Sequence, residues 1–134
     1  MSDLDQLFVS GDQVDQSILA GILSPFLRID KDSLSVVPTE KWTLIGNELR
    51  IILFLAARKA MKVRGLGIEK EGATPAEIEK EIGIKGGTLR PALKKLYDEK
   101  TISKSADSRY VLPSYSLNKV KATVEAWLKE QKNG

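Results

Sequence analysis

The chain contains no cysteine and no histidine. Disulfides, thiolate chemistry, imidazole acid–base catalysis and the common zinc sites are therefore excluded. Long apolar runs are missing as well. The most apolar stretch, Ile51 to Ala57, falls far short of the roughly 20 residues a helix needs to cross a bilayer. The opening MSDLDQLFVS has no positively charged segment ahead of an apolar one, so it does not read as a secretory signal. These absences predict a soluble, cytoplasmic protein with no membrane partner.

With 134 residues, 42% of them hydrophobic, the chain suits one compact domain, or a small domain with a short extension. Wholesale disorder is excluded, because that much apolar surface can form a core. The net charge of +3 conceals a split. Residues 1–40 carry seven acids against Arg28 and Lys31, a net of −5, whereas residues 41–134 carry 19 Lys and Arg against 11 Asp and Glu, a net of +8. Such asymmetry points to a polyanion-binding part with an acidic arm attached.

Residues 1–16 are acidic and polar and read as a frayed or weakly helical arm. Further on, Phe26–Ile29 and Leu34–Val37 flank the polar Asp30-Lys31-Asp32-Ser33, the pattern of a short hairpin. The Asp30/Asp32 pair lacks the glycine and the later glutamate of a calcium loop, so a turn is expected. From Asn47 to Val63 apolar residues recur at three- and four-residue spacing, which predicts a helix capped by Asn47 and covered on more than one side. Arg58, Lys59, Lys62 and Arg64 crowd its last turns, where cations oppose the negative end of the helix dipole. Residues 65–73 follow as a loop; their GLG lacks the third glycine of a nucleotide-binding fingerprint.

Thr74-Pro75-Ala76-Glu77 is a strong helix start: threonine caps, proline occupies the first helical position, and glutamate can return a bond to the cap. That helix runs to Ile82, and Gly83 can end it with a positive φ. Ile84 then plugs the core. After Lys85-Gly86-Gly87 a second helix is expected to begin near Thr88, burying Leu89, Leu93 and Leu96 and turning Arg90, Pro91, Lys94 and Lys95 outward. Pro91 is expected within its first turn, where backbone N–H groups lack partners. Two strand-like pieces, Thr101–Lys104 and Tyr110–Leu112, come next, separated by small polar residues and Arg109.

Two short helices joined by a glycine turn, followed directly by a hairpin, resemble the winged helix-turn-helix superfamily of DNA-binding regulators. The resembling stretch is TPAEIEKEIGIKGGTLRPALKKLYDEKTISKSADSRYVLP, with helix 47–63 as the preceding first helix, so it spans residues 47–113. Its most specific part is EIGIKGGTLRPALKKL. The resemblance does not extend to residues 1–40, which are assigned to no specific family. The resemblance implies a double-stranded DNA partner, helix 87–98 in the major groove and a wing at 102–112. It implies that Gly87, Thr88, Arg90, Pro91 and Lys94 face the groove or its flanking phosphates, and that Lys85 meets the backbone. On the wing, Lys104, Ser105, Ser108 and Arg109 would reach the adjacent minor groove or phosphates. Arginine suits bidentate contact with guanine and lysine suits phosphate. Gly86-Gly87 followed by Pro91 departs from a donor-rich helix start, which shifts weight from base contacts towards shape and phosphates.

The expected fold is thus mainly α with a small β wing (α+β). Residues 1–40 form an acidic N-terminal extension with a short hairpin, residues 41–115 the winged helix-turn-helix domain, and residues 116–134 a C-terminal helix. That last helix, with Leu117, Val120, Val124, Trp127 and Leu128 on one stripe, either covers helix 47–63 or supplies a homodimer interface. Trp127 reads as a packing anchor; Tyr110 and Tyr115 read as structural, and Tyr97 either stacks on a base or packs beside Leu96. No catalytic residue, metal or cofactor is expected, because the acids of 69–81 scatter over a loop and a helix exterior. The rival to a small transcriptional regulator is a winged helix used purely for protein–protein interaction within a larger assembly.

Overall fold

In a computed structural model, which describes the backbone of residues 11–133 and the side chains of residues 15–132, the seven consecutive residues Ile51 to Ala57 are all buried. A helix can bury every face of two turns only when neighbours surround it. That helix is central. In chain order the elements are α1 (Gly11–Leu23), β1 (Leu27–Ile29), β2 (Val36–Pro38), a 3₁₀ turn (Glu40–Leu44), α2 (Asn47–Val63), α3 (Pro75–Ile82), α4 (Gly86–Asp98), β3 (Ser103–Lys104), β4 (Tyr110–Val111), a second 3₁₀ turn (Ser114–Ser116) and α5 (Leu117–Asn133). The protein is mainly helical, with β1–β2 and β3–β4 as two small antiparallel sheets. Among the described residues no helix is long and apolar enough to cross a membrane.

The acidic first segment departs most from its expected character. Its residues 1–10 lie outside the described residues, but from Gly11 the chain is one continuous helix. Leu19, Ile22 and Leu23 of α1, with Phe26 and Leu27 after it, belong to the same buried cluster as Leu89, Ile102 and Val124. Charge set this segment apart; burial joins it to the rest. Tertiary packing of an apolar face stabilises a helix that propensity alone would leave marginal. The C-terminal helix α5 packs chiefly on α1 rather than on α2. There the Trp127 ring lies 5.4 Å from that of Phe26 at 58°, a tilted pair of the kind the ring quadrupoles favour. Ser114 adds a hydrogen bond, its hydroxyl donating to Asp15 Oδ2 at 2.7 Å.

The early hairpin forms as expected, with Leu27 opposite Pro38 and Ile29 opposite Val36. Its turn is made by Asp30, whose Oδ1 accepts the N–H groups of Asp32 at 2.8 Å and Ser33 at 3.1 Å. Those bonds, led by that from Ser33, hold the Asp30 carboxyl below its ordinary value. Entry into α2 differs from the capping expectation. Gly46 is the cap residue and makes no side-chain bond, while Asn47 is already helical. The entry is set instead by Arg50, whose guanidinium donates to the carbonyls of Trp42 (3.2 Å) and Thr43 (3.3 Å).

The exits of α2 and α4 share one hydrogen-bond pattern. After α2 the N–H of Gly65 meets Lys62 O and that of Leu66 meets Met61 O; after α4 the N–H of Lys100 meets Tyr97 O and that of Thr101 meets Leu96 O. Both are Schellman closures, which require a left-handed residue just past the helix. Gly65 adopts φ 66° without steric cost, whereas Lys100 adopts φ 64° as a side-chain-bearing residue.

Candidate nucleic-acid interface

The pair α3–α4 is built by local chemistry. The Thr74 hydroxyl accepts the Glu77 N–H at 3.2 Å, Pro75 opens the helix, and Gly83 ends it at φ 73°. Ile84, 5% exposed, anchors the turn in the core. The expected return bond from Glu77 to the cap is replaced by an ion pair. Both Glu77 oxygens accept from Arg109 Nη1, at 2.8 and 3.0 Å. A guanidinium within reach offers a stronger, charge-assisted bond than a backbone amide.

Helix α4 begins at Gly86, earlier than the expected start near Thr88. Pro91 is therefore its sixth residue and lies inside the helix, beyond the first turn where it was expected. The bond that Pro91 cannot donate would have gone to the carbonyl of Gly87. Gly87 is exposed, so water can satisfy that oxygen. Lys85 occupies the cap position without a side-chain cap bond.

Leu89, Leu93 and Leu96 are buried beneath α4, which turns the opposite face outward. Lys85, Gly87, Thr88, Arg90, Pro91 and Lys94 are all exposed. Positions 87, 90/91 and 94 fall on one stripe, being three or four residues apart. The Arg90 guanidinium makes no hydrogen bond or ion pair among the described residues. Lys94 pairs with Asp98 at 2.9 Å. Both are well exposed and one turn apart, an arrangement worth about 0.3–0.5 kcal/mol that another anion can displace. Acidic groups border this face. Glu79 and Glu81 are exposed on α3, and Glu79 Oε2 lies 3.4 Å from where a Cβ on Gly86 would stand.

The β3–β4 hairpin places its four candidate residues differently. Ser103 opposes Val111 and Lys104 opposes Tyr110, and Ala73 bridges to Tyr110 on the other side of β4. The Lys104 ammonium lies over two rings, 5.4 Å from the centre of Tyr97 on α4 and 5.1 Å from that of Tyr110. These are cation–π distances, and they tie the hairpin to α4. The Ser105 hydroxyl donates to Asp107 and also bonds the Arg109 backbone. Ser108 is exposed, with φ 62° at the tip.

Arg109, expected to face DNA, is turned inward. Besides Glu77 it donates to Gly72 O at 3.2 Å and lies 3.5 Å from Asp107. The structure thus brings the α4 candidates together on one open face and adds Lys104 at its edge through Tyr97. Arg109 instead joins the hairpin to α3 and the loop before it. Asp107 also accepts from Lys70 at 2.6 Å. That bond first, and the one from Ser105 second, lower its carboxyl pKa from 3.8 to about 2, so it stays ionised at the hairpin tip.

Three further residues stand where the sequence reading did not place them. Arg58 reaches from α2 into the loop and donates to the carbonyls of Lys70 (2.7 Å), Glu71 (2.9 Å) and Gly72 (3.3 Å). Burial lowers its pKa, yet an arginine starts high enough to remain charged. Gly72 packs so tightly that a Cβ would stand 2.7 Å from Arg109 Cβ and 3.0 Å from Val111 Cγ1. Tyr115, expected to be structural, is 70% exposed. Only Gly72 had a signal, as a glycine beside an alanine at the end of a loop. Comparison with protein-family models, curated proteins and solved structures returned no match.

Proposed function

We propose that this chain is a winged-helix protein that binds double-stranded DNA, as a small transcriptional regulator, by laying α4 in the major groove. The observation that carries the reading is the open outer face of α4. There Arg90 has no internal partner among the described residues, and Lys85 and Lys94 flank it. Arg90 reads a guanine edge, and the lysines neutralise phosphates. Thr88 and the amides of Gly86 and Gly87, at an uncapped helix start, take a phosphate with help from the dipole. Lys104 and Ser108 add contacts from the hairpin, while Arg109 acts indirectly by holding the hairpin against α3. Pairing of two copies lengthens the contact.

Titrating a labelled duplex by fluorescence anisotropy at several salt concentrations tests this. With about four phosphates neutralised, affinity should fall on the order of 100-fold between roughly 50 and 200 mM salt. Arg90→Ala should reduce discrimination between duplex sequences, whereas Lys85→Ala should weaken all of them alike. No binding at low salt would sink the proposal. That outcome favours a second reading, a protein-interaction module without DNA contact. The exposed carboxylate of Glu79 beside the start of α4 supports it, since it repels phosphate but suits a basic protein partner.

A further inference from the structure

We infer that the cleft between α1, β1 and the end of α2 binds a small amphipathic anion, a carboxylate or sulfonate on an apolar body. The cleft encloses about 370 Å³, within the range of small-molecule sites. Its floor is aliphatic, from Leu19, Leu23, Leu27 and Ile29. Ala20 of α1 and Ala60 of α2 line its open side, side chains too small to fill the gap. An apolar body seated there is removed from water, which is the general driving force for such sites.

The rim selects charge. Arg28 and Arg64 line the cleft, and no acidic residue does so among the described residues. Asp15, the described acid of α1, directs its carboxylate to Ser114. Nη1 of Arg28 is held by the carbonyls of Ser24 and Leu27. Its Nε and Nη2 have no protein partner among the described residues, so a fixed fork remains for a ligand's oxygens. Arg64 is exposed and likewise without a partner among the described residues. Two guanidinium groups without an acidic partner among the described residues, over an aliphatic floor, match an anion with an apolar tail. None of the lining residues belongs to α4 or to the β3–β4 hairpin, so this site is independent of the proposed DNA face.

The probe is 1-anilinonaphthalene-8-sulfonate, set against N-phenyl-1-naphthylamine, which has the same rings and no charge. On the full chain the sulfonate should bind saturably, one per chain, with enhanced fluorescence. Arg64→Gln should weaken it by about tenfold and leave the neutral dye within about twofold, as loss of one charge-assisted contact implies. Ala20→Phe, at an exposed helical position, should fill the cleft and remove both dyes while the near-ultraviolet dichroism of the tryptophans stays unchanged. Three results would overturn the inference. One is no saturable binding, and another is sulfonate binding that neither substitution alters. The third is sulfonate binding that falls as protein concentration rises, which would mean that a second copy covers the cleft.

Discussion

Cations of the same kind meet opposite fates in two regions of this molecule. Along the later turns of α2, and at Arg109 just before β4, they are turned onto the protein itself. Arg58 donates to three consecutive carbonyls, Lys62 donates to those of Ile68 and Glu69, and Lys59 lies 3.6 Å from Glu71. On the outer face of α4, Arg90 and Lys85 point into solvent. The difference comes from what lies opposite. The loop between α2 and α3 has almost no regular structure, so its carbonyls need donors from elsewhere, and long basic side chains on α2 supply them. Opposite Lys85 and Arg90 the described residues place no such loop, while Lys94 on the same face keeps its pair with Asp98. Counting lysines and arginines therefore measures charge without measuring how much of it is available to a partner.

The most direct way to break the comparison is to remove one cation from each region. Arg58→Ala should destabilise the fold by about 3 kcal/mol, because three carbonyl bonds, two of them partly buried, disappear together. Arg90→Ala should change stability by less than about 0.5 kcal/mol. Chemical denaturation of both variants gives the two numbers, and similar losses would erase the distinction. Gly72→Ala sharpens it from the other side of the same loop. A methyl pressed against the Arg109 and Val111 side chains should cost about 2 kcal/mol by overpacking, again read from the denaturation midpoint.

The smallest effect concerns acid. The carboxyl of Asp107 is depressed from 3.8 to about 2, so the Lys70–Asp107 tie contributes fully above the unfolded value. It is lost as pH falls through the window between the two. A carboxyl titration followed by NMR should place the Asp107 midpoint near 2 and move it towards 3.8 in Lys70→Gln. A parent midpoint already near 3.8 would remove the tie.

Local signals account for what could be read in advance. The Thr74-Pro75-Glu77 start, the Gly83 stop and the leucine spacing of α4 depend on residues close in sequence, and the structure keeps all three. The Asp30 turn is similarly self-contained. Contacts between distant residues were not legible. Glu77 was read as half of a capping box, but Arg109, 32 residues later, takes its carboxylate. Lys104 is expected at the minor groove or phosphates, and no local signal announces that its ammonium also lies over Tyr97 and Tyr110. Of the ten candidate residues, those on α4 kept an open position because their helix has one buried stripe, and a stripe is visible as periodicity. Arg109 did not, because no periodicity governs a hairpin of two-residue strands.

By itself the sequence determined helices α2 to α5, where α3 stops, and which face of α4 is buried. Each follows from hydrogen bonds and apolar spacing within about one or two helical turns. Only the tertiary structure decided that the acidic first segment belongs to the core, that α5 rests on α1, and which cations remain free. Those outcomes depend on which groups lie opposite one another after folding. A charge is redirected by whatever unpartnered carbonyl or carboxylate comes within reach.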